Sequence, residues 1–310
     1  MPVTNTLPDF SQGAAYVRGR YVPIGEAAIP ITDWGFLRSD ATYDVVTVWD
    51  GAFFRLDAHL ERFFASCARF RLDPGLSAQG ITQVLAQCVR LAGLRSAYVE
   101  MVVTRGQPPW GSRDPRLAVN QFYAFAVPYV WIANAEQRAR GLDLVVSSVQ
   151  RIPASSVDPR AKNYHWNDLT MGLLGALDAG GDTVVLTDGA GNVVEGPGFN
   201  VFCVNAQGVL VTPAQGVLEG ITRRTVIEMA QAAGLPLQVR ALPAAELRAA
   251  REVFISSSAG GVLPVTRVDG QPVGDGAVGP VTRRMVQTYW DWHHDPRHRL
   301  ALEDVAPPGG

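Results

Sequence analysis

The chain carries 27 basic side chains, of which 26 are arginines and one, Lys162, is a lysine. A codon bias toward arginine accounts for the general depletion of lysine, but not for the exception. Arginine stays charged at any working pH and is a poor nucleophile, whereas a lysine amine can lose its proton and form a Schiff base. Downstream of Lys162 the sequence sets out three further pieces: Glu195-Gly-Pro-Gly-Phe-Asn200, Gly220-Ile-Thr-Arg223 and Ser257-Ser-Ala-Gly-Gly261. Gly220, Ile221 and Thr222 at a helix start offer backbone N–H groups, a hydroxyl and the positive end of a dipole, which together form an anion site. Ser257 and Ser258 before two glycines add hydroxyls and permit close backbone approach, and a phosphate suits that chemistry. Glu195, set among glycines, can present a carboxylate to a positive group.

A lysine, a carboxylate and a phosphate cup are the requirements of pyridoxal 5'-phosphate: a Schiff-base partner, an acceptor for the protonated ring nitrogen and an anchor for the phosphate. Competing signatures are missing. The sequence has no Gly-x-Ser-x-Gly elbow, Walker loop or HExxH helix. Gly189-Ala-Gly191 sits in an expected hairpin turn and lacks the third glycine of a dinucleotide fingerprint. His293, His294 and His298 cluster with no thiol or carboxylate pattern beside them and read as a solvated tail rather than a metal site.

Lys162, the EGPGFN run, GITR and SSAGG together resemble the signature of class IV (fold type IV) pyridoxal phosphate-dependent aminotransferases. This group includes branched-chain and D-amino-acid transaminases and (R)-selective amine transaminases. The resemblance spans roughly Ala15 to Trp292. It implies that Lys162 is the Schiff-base lysine and catalytic base, and that Glu195 is the partner of the pyridine nitrogen. It also implies that Arg62, in His-Leu-Glu-Arg-Phe, is a phosphate-binding arginine, with Ile221, Thr222, Ser257 and Ser258 completing the cup. The kinetics implied are ping-pong between an amino donor and a keto acid, in a homodimer. The stretch Asp33 to Val45 resembles the (R)-amine transaminase subgroup, with Arg38, Tyr43 and Val45 at substrate-facing places. Glu100 fits the same subgroup, because a branched-chain enzyme is expected to place an arginine there for the substrate carboxylate. Trp166 belongs to the same pattern. Two residues depart from it: Tyr98 is the branched-chain choice, and Tyr164 is bulkier than the aliphatic residue expected, so both narrow or polarise the pocket. Arg113 and Arg116, in a long loop, are candidates to hold an acceptor carboxylate such as that of pyruvate. Arg38 is an alternative clamp and keeps D-amino-acid transamination open, and aminodeoxychorismate lyase is a further alternative on the same fold.

The elements that must position these residues alternate hairpins with helices, so the expected class is α+β, implied by the resemblance to be an N-terminal α/β sandwich and a C-terminal pseudo-barrel with flanking helices. Arg18-Gly19 and Asp50-Gly51 mark two hairpins. Asp57 and Ser77 are expected to cap two amphipathic helices, and Ala97–Thr104 and Gln121–Val130 read as strands around a Gly/Pro/Arg-rich loop at 105–120. The expected domains are 1–128, covering the substrate, and 140–310, binding the cofactor, joined by a linker at 129–139. With 47% hydrophobic residues, 18% charged residues and a net charge of −2, the chain can bury a large core and lacks a clustered basic stripe for nucleic acid. Cys67, Cys88 and Cys203, odd in number and far apart, read as reduced core thiols. No apolar run is long enough to span a membrane, and Met1–Ser11 lacks the pattern of a signal peptide, so a cytoplasmic enzyme acting on small molecules is expected.

Overall fold

The computed structural model describes residues 8–308. Part of the stretch read above for a signal peptide, residues 1–7, therefore lies outside the described residues. The fold is α+β, and the chain forms two compact units. One comprises Met1–Val130, Ala161–Tyr164 and Pro296–Gly310, and the other Trp131–Arg160 and His165–Asp295. The short segment around Lys162 thus belongs to the first unit, although it lies well beyond Val130 in the chain. The expected linker contains a helix, Ala135–Arg140, opened by a reciprocal capping box between Asn134 and Gln137.

The first unit is built on a seven-stranded antiparallel sheet. Its order is Arg299–Ala301, Ala52–Phe54, Ala41–Trp49, Ala97–Gln107, Val119–Pro128, Ala14–Val17 and Arg20–Pro23. Both expected hairpins turn where the sequence places them. Arg18-Gly19 and Asp50-Gly51 each carry two successive positive φ angles, the backbone that matches strand twist in a two-residue turn. Side chains alternate across the sheet. Val46, Val48, Val99, Met101 and Val103 join Phe63, Ile81 and Leu85 of the helices Leu56–Phe70 and Ala78–Leu91 in one core. The opposite face presents Tyr43 beside Val102 and Val45 beside Glu100, with Tyr123 and Phe125 on the next strand. Ser77 caps its helix as expected. Asp57 does not cap, because the helix begins two residues earlier than such a cap implies, at Leu56 after Arg55 in a left-handed conformation with no side-chain cap. The long loop is shorter than expected. Strand Ala97–Gln107 continues through a register shift at Gly106, where φ is +71° and a Cβ would lie 1.9 Å from the Val119 carbonyl oxygen.

The second unit is a mixed eleven-stranded sheet forming a nearly closed pseudo-barrel with flanking helices. Three of its pairings are parallel: Leu210–Pro213 with Leu237–Arg240, and Leu142–Gln150 with both Gly261–Val268 and Thr183–Thr187. Its core joins Leu144, Val185, Val201, Val253, Ile255 and Leu263. All three cysteines are buried and free, as expected. His293 corrects the expectation of a solvated histidine tail. It is 4% exposed, bonds the Tyr289 carbonyl through Nδ1 at 2.9 Å and packs against the Tyr289 and Trp290 rings. Among the described residues no cluster of potential ligands could hold a metal ion, and no helix is long and apolar enough to cross a membrane.

Candidate active site

In the first unit Lys162 is held through its backbone. Asn163 makes an isolated antiparallel bridge with Thr42. The Lys162 carbonyl accepts from the Thr42 hydroxyl at 2.6 Å and from the Tyr43 N–H at 3.4 Å, while the Lys162 N–H donates to Ser66 Oγ at 3.2 Å. Its Nζ stands 4.3 Å from the centroid of the Tyr43 ring, a cation–π arrangement. Tyr43 stacks on Tyr164, centroid to centroid at 4.3 Å. Tyr164 then donates its hydroxyl to Glu100 Oε1 at 2.7 Å, and Tyr98 donates to Oε2 at 2.9 Å. Lys162, Tyr43, Tyr164, Glu100 and Tyr98 thus form one continuous run. Burial pushes the Glu100 carboxyl up, opposed by the two phenols and by the charge of Lys162.

Ser66 also ties the segment at Lys162 to the arginine helix, since its hydroxyl donates to the Arg62 carbonyl at 2.9 Å. Arg62 grips Asp44 with two parallel bonds of 2.8 Å, Nε to Oδ2 and Nη2 to Oδ1, which holds the planar guanidinium in one orientation. His59 Nδ1 lies 2.8 Å from the same carboxylate. Burial alone would raise the Asp44 carboxyl, but Arg62 and His59 override it and hold the group well below the usual carboxylate range. Burial pushes His59 down against the pull of Asp44, with Arg62 and Lys162 adding to the shift.

The second unit assembles the other expected residues. Glu195 starts a two-residue strand paired with Phe199–Val204 across a turn at Gly198, whose φ is +78°. Gly196 has to be glycine, because a Cβ there would lie 2.3 Å from the Val184 carbonyl oxygen. Glu195 Oε2 accepts from the Leu218 N–H at 2.8 Å, and Oε1 pairs with Arg151 Nε at 3.1 Å. Arg151 in turn donates to both oxygens of Asp168, at 2.7 and 3.0 Å, completing a part-buried Asp–Arg–Glu chain. The helix Ile221–Ala232 begins after Gly220 with no side chain capping it. A Cβ on Gly220 would fall 2.1 Å from Asn200 Oδ1, and Asn200 itself bonds the Leu218 carbonyl. Ile221 and Thr222 are buried at that first turn, and Ser258 is half-buried in the turn after Ser257. The Ser257 hydroxyl is engaged within the protein, donating to the Gly198 carbonyl at 2.8 Å and accepting from the Ala259 N–H. Trp166 flanks the same turn, its ring 3.5 Å from where a Gly198 Cβ would stand.

The expected carboxylate clamps are not gathered with these residues. Arg38 is exposed and lies over the Trp34 ring at 3.4 Å. Arg113 is exposed on the loop, and Arg116 is tied to Asp114 of its own turn, with its side chain 77% exposed. Sequence reasoning missed Asp44, His59, Ser66, Arg151, Asp168 and Asn200. Asp44 lies inside the Tyr43-Asp44-Val45 run and Asn200 ends the EGPGFN run, so both stood in motifs already singled out. Arg151, one arginine among 26, carried no comparable mark.

The model of the amino-transferase class IV family matches residues 41–268, and the chain belongs to that family. A putative branched-chain-amino-acid aminotransferase of Methanocaldococcus jannaschii is 30% identical over 278 residues, covering 89% of this chain and 95% of the relative. A D-alanine aminotransferase of Bacillus licheniformis is 30% identical over 271 residues, covering 87% and 93%. The crystal structure of the Escherichia coli branched-chain amino acid aminotransferase superposes with a TM-score of 0.89 at 25% identity, covering 94% of this chain and 99% of that one. The branched-chain amino acid aminotransferase of Thermobaculum terrenum, in its PLP-bound holo form, superposes with a TM-score of 0.83 at 25% identity, covering 95% and 99%. The fold is therefore that of the fold type IV aminotransferases.

Proposed function

We propose that this class IV aminotransferase uses pyridoxal 5'-phosphate to move an amino group from a primary (R)-amine, or a D-amino acid, to a keto acid such as pyruvate. The chain's residues fit the cofactor. Glu195 is a buried carboxylate already paired with a guanidinium, the helix at Ile221 starts without a side-chain cap, and Gly196 and Gly220 leave no room for a Cβ. When bound, the cofactor supplies an aldehyde that captures amines and a ring that withdraws electrons. Lys162 would carry it and, once released, take the proton from the donor carbon at Nζ and return it in the same half-reaction. Glu195 would hold a proton on the ring nitrogen, with Arg151 and the Leu218 N–H fixing the carboxylate. Arg62, Ile221, Thr222 and Ser258 would hold the phosphate, with Ser257 shaping the turn beside Gly198. Tyr43, Val45, Tyr98, Tyr164 and Trp166 would face the substrate, and the loop arginines Arg113 and Arg116, or Arg38, would meet an acceptor carboxylate.

The observation that carries the amine reading is Glu100. An acid, 8% exposed, stands beside Val45 on the sheet face that this reading gives to the substrate, where a carboxylate-clamping enzyme needs a cation. A second reading, a branched-chain or D-amino-acid aminotransferase, is favoured by the names of the relatives and by Tyr98. Assay of both enantiomers of 1-phenylethylamine with pyruvate, beside D-alanine, L-leucine and 2-oxoglutarate, separates the two. The (R)-amine is expected to be turned over, and strong L-leucine activity without it would establish the branched-chain reading instead. In the same assays Lys162→Ala is expected to fold, lose the visible absorbance of bound cofactor and lose all turnover.

A further inference from the structure

The first unit holds a cavity of about 520 Å³, within the range of small-molecule sites. Its walls are largely apolar, including Val17, Ala28, Val102 and Phe125, and Glu100 is the one charged residue among those lining it. Tyr164 lines it as well, so the cavity borders the Glu100–Tyr164 end of the run, and Tyr43, stacked on Tyr164, carries that run on to Lys162.

The other buried carboxylates of this chain are offset in one of two ways. Asp44 and Glu195 each hold a guanidinium. Asp33 and Glu252 each accept the free N–H groups at a helix start, Gly35 in one case and Val281 with Thr282 in the other. Glu100 has neither. Its hydrogen-bond partners are two phenols, and among the described residues no arginine, lysine or histidine stands within ion-pair distance of it. A carboxylate has about four lone-pair directions, so two neutral donors leave it half satisfied. Removing such an anion from water costs several kcal/mol unless a cation meets it.

We propose that Glu100 recognises a second positive charge on the amino donor, so that preferred donors are diamines or other amines with a remote ammonium group. The reacting amine goes to Lys162, the apolar chain lies along the cavity wall, and the far ammonium completes the coordination of Glu100. Donors ending in a second carboxylate are repelled at the same place. The Tyr43 and Tyr164 rings stand between Lys162 and Glu100, each contact being 4.3 Å, so a donor that meets both ends needs several carbons between its amines.

This inference rests on the amine-transaminase reading above, and the test separates the two. The holoenzyme is assayed with pyruvate and either 1,5-diaminopentane or pentylamine, beside (R)-1-phenylethylamine. The expected result is a kcat/KM favouring the diamine by roughly 30-fold, the lower end of the effect of an unpaired buried charge. Glu100→Gln, of the same size and able to keep both tyrosine contacts, is expected to bring that ratio to about one. Calorimetry with pentyltrimethylammonium, which cannot be transaminated, reads binding alone, and its affinity is expected to fall by roughly 10-fold in Glu100→Gln. A wild-type ratio near one, with (R)-1-phenylethylamine turned over, overturns the inference and leaves the amine reading standing. Turnover of L-leucine or D-alanine with no amine accepted overturns both. If the variant does not fold, the wild-type ratio decides.

Discussion

At the scale of single residues, the chemistry is concentrated in carboxylates whose partners differ. Glu195 is paired with Arg151, which is itself paired with Asp168. Burial would lower the Arg151 guanidinium, but the two carboxylates raise it, and Arg151 in turn holds Asp168 below its ordinary range despite burial. Glu195→Gln removes the charge while keeping a hydrogen-bonding side chain. It is expected to slow both half-reactions by on the order of 10², as for a lost preorganised electrostatic partner. Stopped-flow absorbance with each substrate separately checks this, and wild-type rates in both would show that Glu195 only shapes the turn. Lys162 and Glu195 were legible in the sequence because one is the chain's single lysine and the other sits in a glycine-rich run. Arg151 was not legible, because in a chain with 26 arginines residue type carries no signal and only the fold brings this one to Glu195.

At the scale of elements, what the sequence made plain was whatever depends on neighbouring residues. The Arg18-Gly19 and Asp50-Gly51 hairpins and the Ser77 cap fall where turn and cap chemistry put them. What depends on distant partners was not plain. Strand Ala97–Gln107 outruns its expected end because Val119 pairs with it across the register shift at Gly106. The helix Ile221–Ala232 gives the sharpest test of the candidate site at this scale. Gly220→Ala adds a single methyl group, but it must displace the Asn200 side chain that fixes Leu218, the residue whose N–H holds Glu195. A loss of about 1–3 kcal/mol in stability is expected, in line with overpacking a filled site. Cofactor affinity is expected to fall as well. Urea unfolding of the cofactor-free protein and absorbance titration with pyridoxal phosphate measure the two effects separately, and unchanged affinity would remove this helix start from the site.

At the scale of the whole molecule, stability should respond to acid through buried histidine before Asp44 responds. Burial pushes His293 down to about 4 from 6.5. The unfolded chain therefore takes up a proton near pH 6.5 that the folded chain refuses until about pH 4, and stability falls as the pH drops through that window. His59, lowered in the same direction, contributes alongside it. Asp44, lowered from 3.8, begins to matter only in more acid solution. The urea midpoint is expected to decline from pH 7 to pH 4.5, and His293→Phe is expected to decline less steeply, whatever its stability at pH 7. The return of Ala161–Tyr164 to the first unit has a further consequence, for how such proteins can be recombined. A crossover made at residue 130 would hand Lys162 to one parent while leaving Thr42, Tyr43 and Ser66, which fix its backbone, with the other. During synthesis, likewise, the seven-stranded sheet waits for Arg299–Ala301 to pair with Ala52–Phe54. The two units are thus interleaved along the chain, and inheritance by simple exchange of halves would separate the lysine from the strand and helix that hold it.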